Sequence, residues 1–339
     1  MEGKLSYIDS LSTIKIESFD RMPEILYTEK EKREKEVIAL KKENWSGVSF
    51  AIAAYTLWGI LPIYWKLVDR VLPLEVLANR IVWAFLFTVL LITFTKQWTA
   101  LKQIFQDRKQ VILILFASMF IAFNWGLYIW AVNTGKIVDA SLGYYINPLV
   151  AVLLGVFVFK ETLDRWTIAS LWIAFLGVLI KTIQYGNIPW VSLGLAISFG
   201  IYGAMKKMVK ANSIAGLTLE TAMLTPLALG YILFRNSSGL GAYQVESTPI
   251  LILLMASGLV TAIPLLLFSS AAQRLPMSLL GFTQYIAPTI SLLLGVFVYH
   301  EQFTHLDLIA FCLIWMALGI YTFSQLQAYR KSKVLTPTK

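Results

Sequence analysis

The sequence predicts an all-α polytopic membrane protein, with ten transmembrane helices arranged as two inverted five-helix repeats. Three observations predict this fold class: the composition, an internal repeat and the distribution of basic residues. Of the 339 residues, 57% are hydrophobic and only 14% are charged, and the mean hydropathy is +0.66. Soluble domains carry about 25% charged residues, so this chain has too few charges to cover a water-facing surface.

The transmembrane helices are predicted from apolar runs that recur from residue 47 to residue 323. About 20 apolar residues span the ~30 Å hydrocarbon core of a bilayer as a helix. The predicted spans are 47–67, 74–94, 111–132, 139–159, 166–184, 189–209, 217–234, 249–271, 276–299 and 306–324.

Two polar tails flank these spans. Residues 1–46 are mixed in charge, and we expect a solvated helical or disordered tail there, with Met22 as an alternative start. We expect no signal peptide, because the first long apolar run begins after residue 46. Residues 325–339 form a short basic tail.

The internal repeat is a match between Tyr145–Glu161 and Tyr285–Glu301, which lie 140 residues apart. The letters Tyr-Ile, Pro, Leu-Leu-Gly-Val-Phe-Val and Glu fall in register without a gap. A match at a fixed period indicates one unit used twice, and it predicts repeats at 47–184 and 189–324. The matching segments are the fourth and ninth spans, so each repeat has five helices. Because five is odd, the second copy enters the membrane from the opposite side, which is a common plan of secondary transporters.

The basic residues, which give a net charge of +9, favour alternate loops. The loops on one side hold only four cations: Arg70, Lys136, Lys181 and Arg235. The loops and tails on the other side hold most of the rest, and Lys206 and Lys207 are counted among them. Cytoplasmic loops carry the excess of Lys and Arg, so both termini are predicted to be cytoplasmic. This distribution does not predict a nucleic-acid partner.

Cysteine and histidine usage predicts no metal and no cofactor. The single cysteine, Cys312, lies in an apolar run, so neither a disulfide framework nor a thiolate cluster is expected. His300 and Glu301 are followed by His305, one residue too late for the zinc motif HExxH. The sequence contains neither a Gly-rich phosphate loop nor a nucleophile elbow. It therefore predicts no catalytic residue.

Arg80 lies well inside the second span, near Glu75 and Asn79. An ionisable group at membrane depth is a candidate functional residue by default. Arg80 can bind substrate or act in gating, or it can lock two helices together, and both interpretations stay open. Glu75 is a candidate coupling or gating residue. In the third span, Asn124 either bonds another helix or joins Tyr128 in a cavity wall, because a buried amide needs a partner.

The strongest candidate site lies beside Pro148 and Pro288, which hold equivalent positions in the two repeats. A proline frees a backbone carbonyl and bends a membrane helix, which is tolerated beside a cavity or protein. The polar side chains near these predicted bends are Tyr144, Tyr145, Asn147, Gln284 and Tyr285. They predict a substrate site near the midplane, although a simple packing kink is the alternative.

Two further residue types complete the candidates. Glu161 and Glu301 follow the fourth and ninth spans and either couple protons or cap a neighbouring helix. Seven glycines are predicted points of close helix packing: Gly143, Gly155, Gly177, Gly200, Gly203, Gly295 and Gly319.

Five stretches resemble the RarD group of EamA-type transporters: Asn124–Asn133, Ala140–Leu149, Ser198–Gly203, Thr261–Phe268 and Gly281–Thr289. The similarity covers about residues 46 to 325. It implies membership of the drug/metabolite transporter superfamily, with ten helices in two inverted repeats in the bacterial cytoplasmic membrane. Members of this superfamily move small metabolites or drugs, often outward and often coupled to protons.

From the residues and the resemblance together, we expect a secondary transporter of small organic solutes that works in the lipid bilayer by alternating access. Arg80 is expected to act as an anion partner or gate, and Tyr144, Asn147, Gln284 and Tyr285 to contact the substrate. An intramembrane lipid-modifying enzyme and a solute channel are the alternatives. The sequence predicts neither the substrate nor the oligomeric state.

Overall fold

The computed structural model describes residues 22–134, 137–186, 189–300 and 304–334, and within these ranges it contains helices and no strand. The first helices are α1 Met22–Leu67, α2 Pro73–Phe94, α3 Trp98–Gln106, α4 Arg108–Asn133, α5 Ile137–Phe157, α6 Arg165–Tyr185 and α7 Trp190–Met208. They are followed by α8 Ser213–Ser237, α9 Ala242–Val245, α10 Thr248–Arg274, α11 Met277–Gln284, α12 Ile286–Phe297 and α13 His305–Val334.

The chain divides after Ser46 into two compact units. In the first unit, the described residues 22–46 are helical and belong to α1, whereas residues 1–21 of the predicted tail lie outside the described residues. The second unit, Gly47–Lys339, contains the rest of α1 and all the other helices.

Eight segments among the described residues are long and apolar enough to cross a membrane, so the chain is a multi-pass helical membrane protein. The predicted fourth and sixth spans fall on α5 and α7. The apolar part of α5, Leu142–Phe157, is shorter than a usual span, and α7 does not meet the same criteria. A count of ten spans therefore stays a prediction.

The predicted ninth span is divided into α11 and α12 at Tyr285. Pro288 has no backbone N–H, so it cannot donate to the carbonyl four residues earlier, and the helical ladder is interrupted there. The backbone N–H of Tyr285 instead donates to Phe282 O at 3.3 Å. The equivalent Pro148 lies inside α5, which the structure keeps as one helix. Equivalent prolines thus have different local structures.

The helix starts repeat with the period seen in the sequence. Four pairs of helices begin 140 residues apart: α2 and α8 at 73 and 213, α4 and α10 at 108 and 248, α5 and α11 at 137 and 277, and α6 and α13 at 165 and 305. The ends of the repeated segment also correspond. Lys160 and His300 both have positive φ, at 57° and 55°. The sequence repeat is therefore also a repeat of local structure.

Corresponding helices of the two halves pack on each other. The pairs α2 with α8, α5 with α11, and α6 with α13 are in direct contact, and α2 also packs on α10 and α5 on α7. A shared core runs between them and contains Ala51, Tyr55, Ala84, Ala151, Tyr202, Phe268 and Leu280, all buried.

Small residues permit the closest helix approaches, as is common in membrane helices. A Cβ on Gly177 would lie 2.9 Å from Ala310 O, across the contact of α6 with α13. The prediction for Gly319 was wrong, because a Cβ there would meet nothing within 4 Å. The closest approach of α2 and α10 is at Gly258, which the sequence analysis did not select: a Cβ there would lie 2.3 Å from the carbonyl carbon of Trp83.

We predict that Gly258→Ala separates α2 from α10, because the new methyl group would overlap backbone atoms that cannot rotate away. The expected cost is about 1–3 kcal/mol of stability, typical of overpacked sites. Thermal unfolding of the purified protein in detergent measures this cost. Gly319→Ala is the matched control, since its methyl group enters open space, and we expect it to change stability by less than about 0.5 kcal/mol. Equal melting of the two variants would contradict the assigned contact.

Candidate functional site

Arg80 lies at the centre of the candidate site. It follows the first residue of α2 by seven positions, which at 1.5 Å per residue places it about 10 Å along the helix. The guanidinium carbon lies 4.3 Å from the ring centroid of Trp125 and 5.4 Å from that of Trp65. Its buried Nε has no hydrogen-bond partner. Among the described residues, no carboxylate lies within ion-pair distance of Arg80.

Tyr128 and Tyr144 lie beside this cation. Both are within electrostatic range of Arg80, and their ring centroids are 6.4 Å apart in an edge-to-face arrangement. Tyr128 is 39% exposed and Tyr144 is 52% exposed. The guanidinium therefore adjoins accessible aromatic surface, contributed by α4 and α5.

Three further buried polar atoms on the surrounding helices have no hydrogen-bond partner among the described residues: Asn147 Oδ1, Gln284 Oε1 and the Tyr55 hydroxyl. Asn147 follows Tyr144 by three residues on α5 and therefore lies on the same helix face. Gln284 is on α11, which packs on α5, and its side chain lies close to the Tyr55 hydroxyl. An unsatisfied buried polar group costs about 1–3 kcal/mol, so several around one point need an explanation.

Three predicted substrate ligands make helix contacts instead. Asn124 Nδ2 donates to Leu195 O at 2.8 Å and to Ser198 Oγ at 2.9 Å, which joins α4 to α7. The fully buried Tyr285 donates from its hydroxyl to Tyr145 O at 3.3 Å. The ring of Tyr145 packs edge-on against Phe311 at 5.1 Å. The structure thus brings Arg80, Tyr128 and Tyr144 together, with Asn147 one turn from Tyr144 on α5 and Gln284 on the adjoining α11. Asn124, Tyr145 and Tyr285 contact neighbouring helices, and a role for them in substrate binding stays a prediction.

Glu75 contacts the short helix α9 and the end of α8, and it does not pair with Arg80. Its Oε1 accepts a hydrogen bond from the backbone N–H of Ala242 at 2.6 Å, and its Oε2 lies 3.8 Å from Arg235 Nε. One turn further along α2, Asn79 Oδ1 accepts from the Tyr243 hydroxyl at 2.6 Å. Glu75 and Asn79 thus hold α9 and α8 against α2.

Glu161 caps a helix of the other half. Its two carboxylate oxygens accept from the backbone N–H groups of Met277 at 2.5 Å and Ser278 at 2.9 Å, at the start of α11. A negative charge is favourable at a helix N-terminus. The carboxylate passes so close to Gly155 that a Cβ there would lie 2.7 Å from Glu161 Oε2. Lys207 donates to the adjacent carbonyl of Leu275. The equivalent Glu301 lies outside the described residues.

An aromatic cluster fills the bundle between the candidate site and the end of α7. It consists of Tyr55, Trp58, Phe199, Tyr202 and Phe268, whose neighbouring ring centroids are 5.4–6.2 Å apart. Tyr55 adjoins both the candidate site and the aromatic cluster, because its hydroxyl lies near Gln284 while its ring packs on Phe268. The cluster adjoins the helix start that Glu161 caps, because a Cβ on Gly203 would lie 3.3 Å from Phe268 and 3.7 Å from Met277.

A buried ion pair was missed by the sequence analysis. Lys206 Nζ lies 2.6 Å from Glu220 Oε1, and the Tyr202 hydroxyl donates to Glu220 Oε2 at 3.2 Å. Counting Lys206 as a loop charge was wrong, because it lies within α7 and is fully buried. Glu220 follows the start of α8 by seven residues, as Arg80 follows the start of α2. The signal available in the sequence was the 140-residue period, which makes Glu220 the equivalent of Arg80; the predicted span 217–234 placed Glu220 only three residues from its start.

We predict that Lys206→Met lowers stability by about 3–5 kcal/mol, because it leaves the buried Glu220 carboxylate unpaired. The double variant Lys206→Met, Glu220→Gln should recover most of this loss, since the amide oxygen of glutamine still accepts from Tyr202. Thermal unfolding in detergent measures both. Lys210→Met, at an exposed position, is the control for loss of a lysine charge. A double variant as unstable as the single one would contradict the pairing.

These features define a class: a bundle of membrane-spanning helices with a cation, tyrosines and unsatisfied amides in its interior, as in membrane carriers. The EamA-like transporter family matches this chain twice, over residues 45–183 and 188–323. The chain belongs to that family.

Its relatives agree with this assignment. The chain is 46% identical over 294 residues to the uncharacterized transporter YojE of Bacillus subtilis (strain 168), which covers 86% of this chain and 98% of the relative. It is 39% identical over 293 residues to the protein RarD of Streptomyces exfoliatus, which covers 86% and 93%. A solved crystal structure matches 83% of this chain and 98% of its own, with a TM-score of 0.63 at 19% identity, and so shares the fold. The resemblance to the RarD group is confirmed.

Proposed function

We propose that the protein is a secondary active transporter, which moves small organic solutes across a bacterial cell membrane by alternating access. The observation that carries this proposal is the unpaired Arg80, together with the unpartnered polar atoms of Asn147 and Gln284 in the interior of the bundle. Polar groups at membrane depth that lack a protein partner are typical of a substrate pathway. Arg80, Tyr128, Tyr144, Asn147 and Gln284 form the proposed substrate site.

The proposed architecture is two inverted five-helix repeats, 47–184 and 189–324, with ten spans and both tails in the cytoplasm. It is supported by the four pairs of helices that begin 140 residues apart. The two successive family matches support it as well. An inverted repeat suits a carrier, because it gives two near-equivalent states that open to opposite sides.

We assign this structure to a state closed toward the cytoplasm. The Glu161 cap on α11 and the aromatic cluster lie on that side under the predicted orientation. The accessible surfaces of Tyr128 and Tyr144 support an opening toward the outside. Glu161 then acts in gating, because the cap must be released before the cytoplasmic side opens. Glu301 holds the equivalent position in the sequence and stays a candidate for the same role.

We further propose that transport is coupled to protons and directed outward. Glu220 is the best-placed described carboxylate for coupling, because it lies at membrane depth. The titratable groups that contact it are Lys206 and Tyr202, both from α7. The facing helix α2 meets α8 here through Thr88 and Thr221, which do not titrate. Protonation of Glu220 would weaken its pairing with Lys206 and so loosen α7 from α8.

Reconstituted vesicles test the proposed mechanism. A carrier gives saturable flux with counterflow of labelled substrate, whereas a channel gives flux that does not saturate. An intramembrane enzyme would change the lipid or solute chemically, which mass spectrometry detects. Imposing a pH gradient of either sign, with Glu220→Gln as the comparison, tests the coupling and its direction.

We predict that Arg80→Ala abolishes counterflow without preventing membrane insertion, because the substrate loses its charged partner while the apolar spans stay unchanged. Transport of candidate metabolites in vesicles and the yield of inserted protein measure the two effects. Arg70→Ala, an exposed arginine in the loop before α2, is the control. Unchanged transport by the Arg80 variant would remove this residue from the mechanism.

We predict that Lys160 and His300 lie on opposite faces of the membrane, since an odd number of spans separates them in the proposed topology. Cysteines introduced singly at these exposed positions, in a Cys312→Ser background, can be labelled with an impermeant thiol reagent. Labelling from the same side would end the inverted-repeat proposal, whatever substrate is later found.

A further inference from the structure

The geometry points to the chemical class of the solute: an organic monoanion whose acid group binds Arg80 and whose planar apolar body packs on Trp125, Tyr128 and Tyr144. This inference rests on the proposed transport function, which it makes more specific.

Charge balance is the first argument. Three other described cations lie near carboxylates: Lys206 pairs with Glu220, Lys181 with Asp307, and Arg235 lies near Glu75. The half-buried Lys207 and Arg274 have no ion pair within the described part of the chain, but they donate to the backbone carbonyls of Leu275 and Ser270. Arg80 contacts aromatic rings and no carboxylate among the described residues. A cation–π contact offsets only part of the cost of removing a guanidinium from water. A bound anion would supply the missing charge.

The hydrogen-bonding capacity of the guanidinium also points to an anion. Its carbon lies over the Trp125 ring at 4.3 Å, and an aromatic ring face does not replace the in-plane acceptors that the N–H groups need. The buried Nε has no acceptor among the described residues. The edge of a guanidinium forms two parallel hydrogen bonds with a carboxylate, a geometry that lysine cannot reproduce.

The surroundings of Arg80 specify the rest of the solute. Tyr128 and Tyr144 present accessible ring surface beside the cation, and aromatic rings pack favourably on planar apolar groups. Asn147, on the same face of α5 as Tyr144, is uncharged, so it offers no cationic partner to a second anionic group. Since no described carboxylate adjoins Arg80, an ammonium group on the solute would have no acidic partner. A monoanion therefore fits better than a zwitterion or a dianion.

Three matched probes test this inference on the full-length protein in lipid nanodiscs. They are 3-phenylpropanoate, its neutral amide 3-phenylpropanamide, and phenylalanine, which adds an ammonium group to the acid. Binding is followed by tryptophan fluorescence, since Trp125 and Trp65 flank Arg80. We expect the acid to bind at least about tenfold more tightly than the amide or phenylalanine, the scale of one lost charge-assisted contact.

Variants at Arg80 distinguish a specific role of this residue in binding from a general loss of folding. Arg80→Gln should remove the preference for the acid, so that acid and amide bind within about twofold of each other, whereas Arg80→Lys should keep a reduced preference. Arg70→Gln, which removes an exposed charge, should bind as the unaltered protein does. Thermal unfolding of each variant establishes that it is folded.

Several results would overturn the inference: no binding of the acid, equal binding of acid and amide to the unaltered protein, tighter binding of phenylalanine, or an undiminished preference after Arg80→Gln. Counterflow assays in vesicles distinguish a failure of this inference from a failure of the proposed transport function. Counterflow of the amide or phenylalanine, without the acid, would leave a transporter with a different solute class. Selective binding of the acid without any counterflow would leave the anion site and remove the transport mechanism.

Discussion

Inside a bilayer there is no water to satisfy a polar group, so each such group must find its partner within the protein. Most of this chain obeys that constraint closely. Asn124 bonds α7, Tyr285 bonds the backbone of α5, and Lys206 pairs with Glu220. Arg80 departs from it: among the described residues it has neither a carboxylate within ion-pair distance nor an acceptor for its Nε, and it contacts the rings of Trp125 and Trp65. The candidate site is therefore defined by the residues whose interactions are incomplete.

The two halves show how equivalent positions acquire different chemistry. Arg80 and Glu220 follow the starts of α2 and α8 by the same seven residues, and these two helices pack on each other. Glu220 is satisfied by Lys206 and Tyr202 from α7, whereas Arg80 faces accessible tyrosines from α4 and α5. One half of the bundle thus contains a paired charge, and the other contains a cation without an ion pair among the described residues. In the proposed mechanism, this asymmetry separates proton coupling at Glu220 from substrate binding at Arg80.

The fold was largely predictable because hydropathy and a repeat determine it directly. Helices lie at the predicted positions, and their starts follow the 140-residue period. The proline in the ninth span predicted a bend at Pro288, and the structure divides α11 from α12 nearby, at Tyr285. The short helices α3 and α9 were not predicted, because they depend on local backbone bonding that hydropathy does not report. The site was predictable only in part. The position of Arg80 deep within a predicted span identified it as a candidate. The position of Asn124 or Tyr285 in a span does not show whether its side chain faces a cavity or another helix, because the facing direction depends on the rotation of each helix.

The Glu161 cap links the helices of the candidate site at one end of the bundle. The cap joins the segment after α5 to the first turn of α11. These are the two helices that carry Tyr144, Asn147 and Gln284. The α10–α11 connection is held from a second side, because Lys207 of α7 donates to Leu275. Releasing α11 from Glu161 would therefore free the helix that carries Gln284 and change the distance between Gln284 and Asn147. Because a short helix moves as a rigid element, the cap at the first turn of α11 and Gln284 at its last turn would move together. In the proposed mechanism, this couples closure of one face of the bundle to the proposed substrate site.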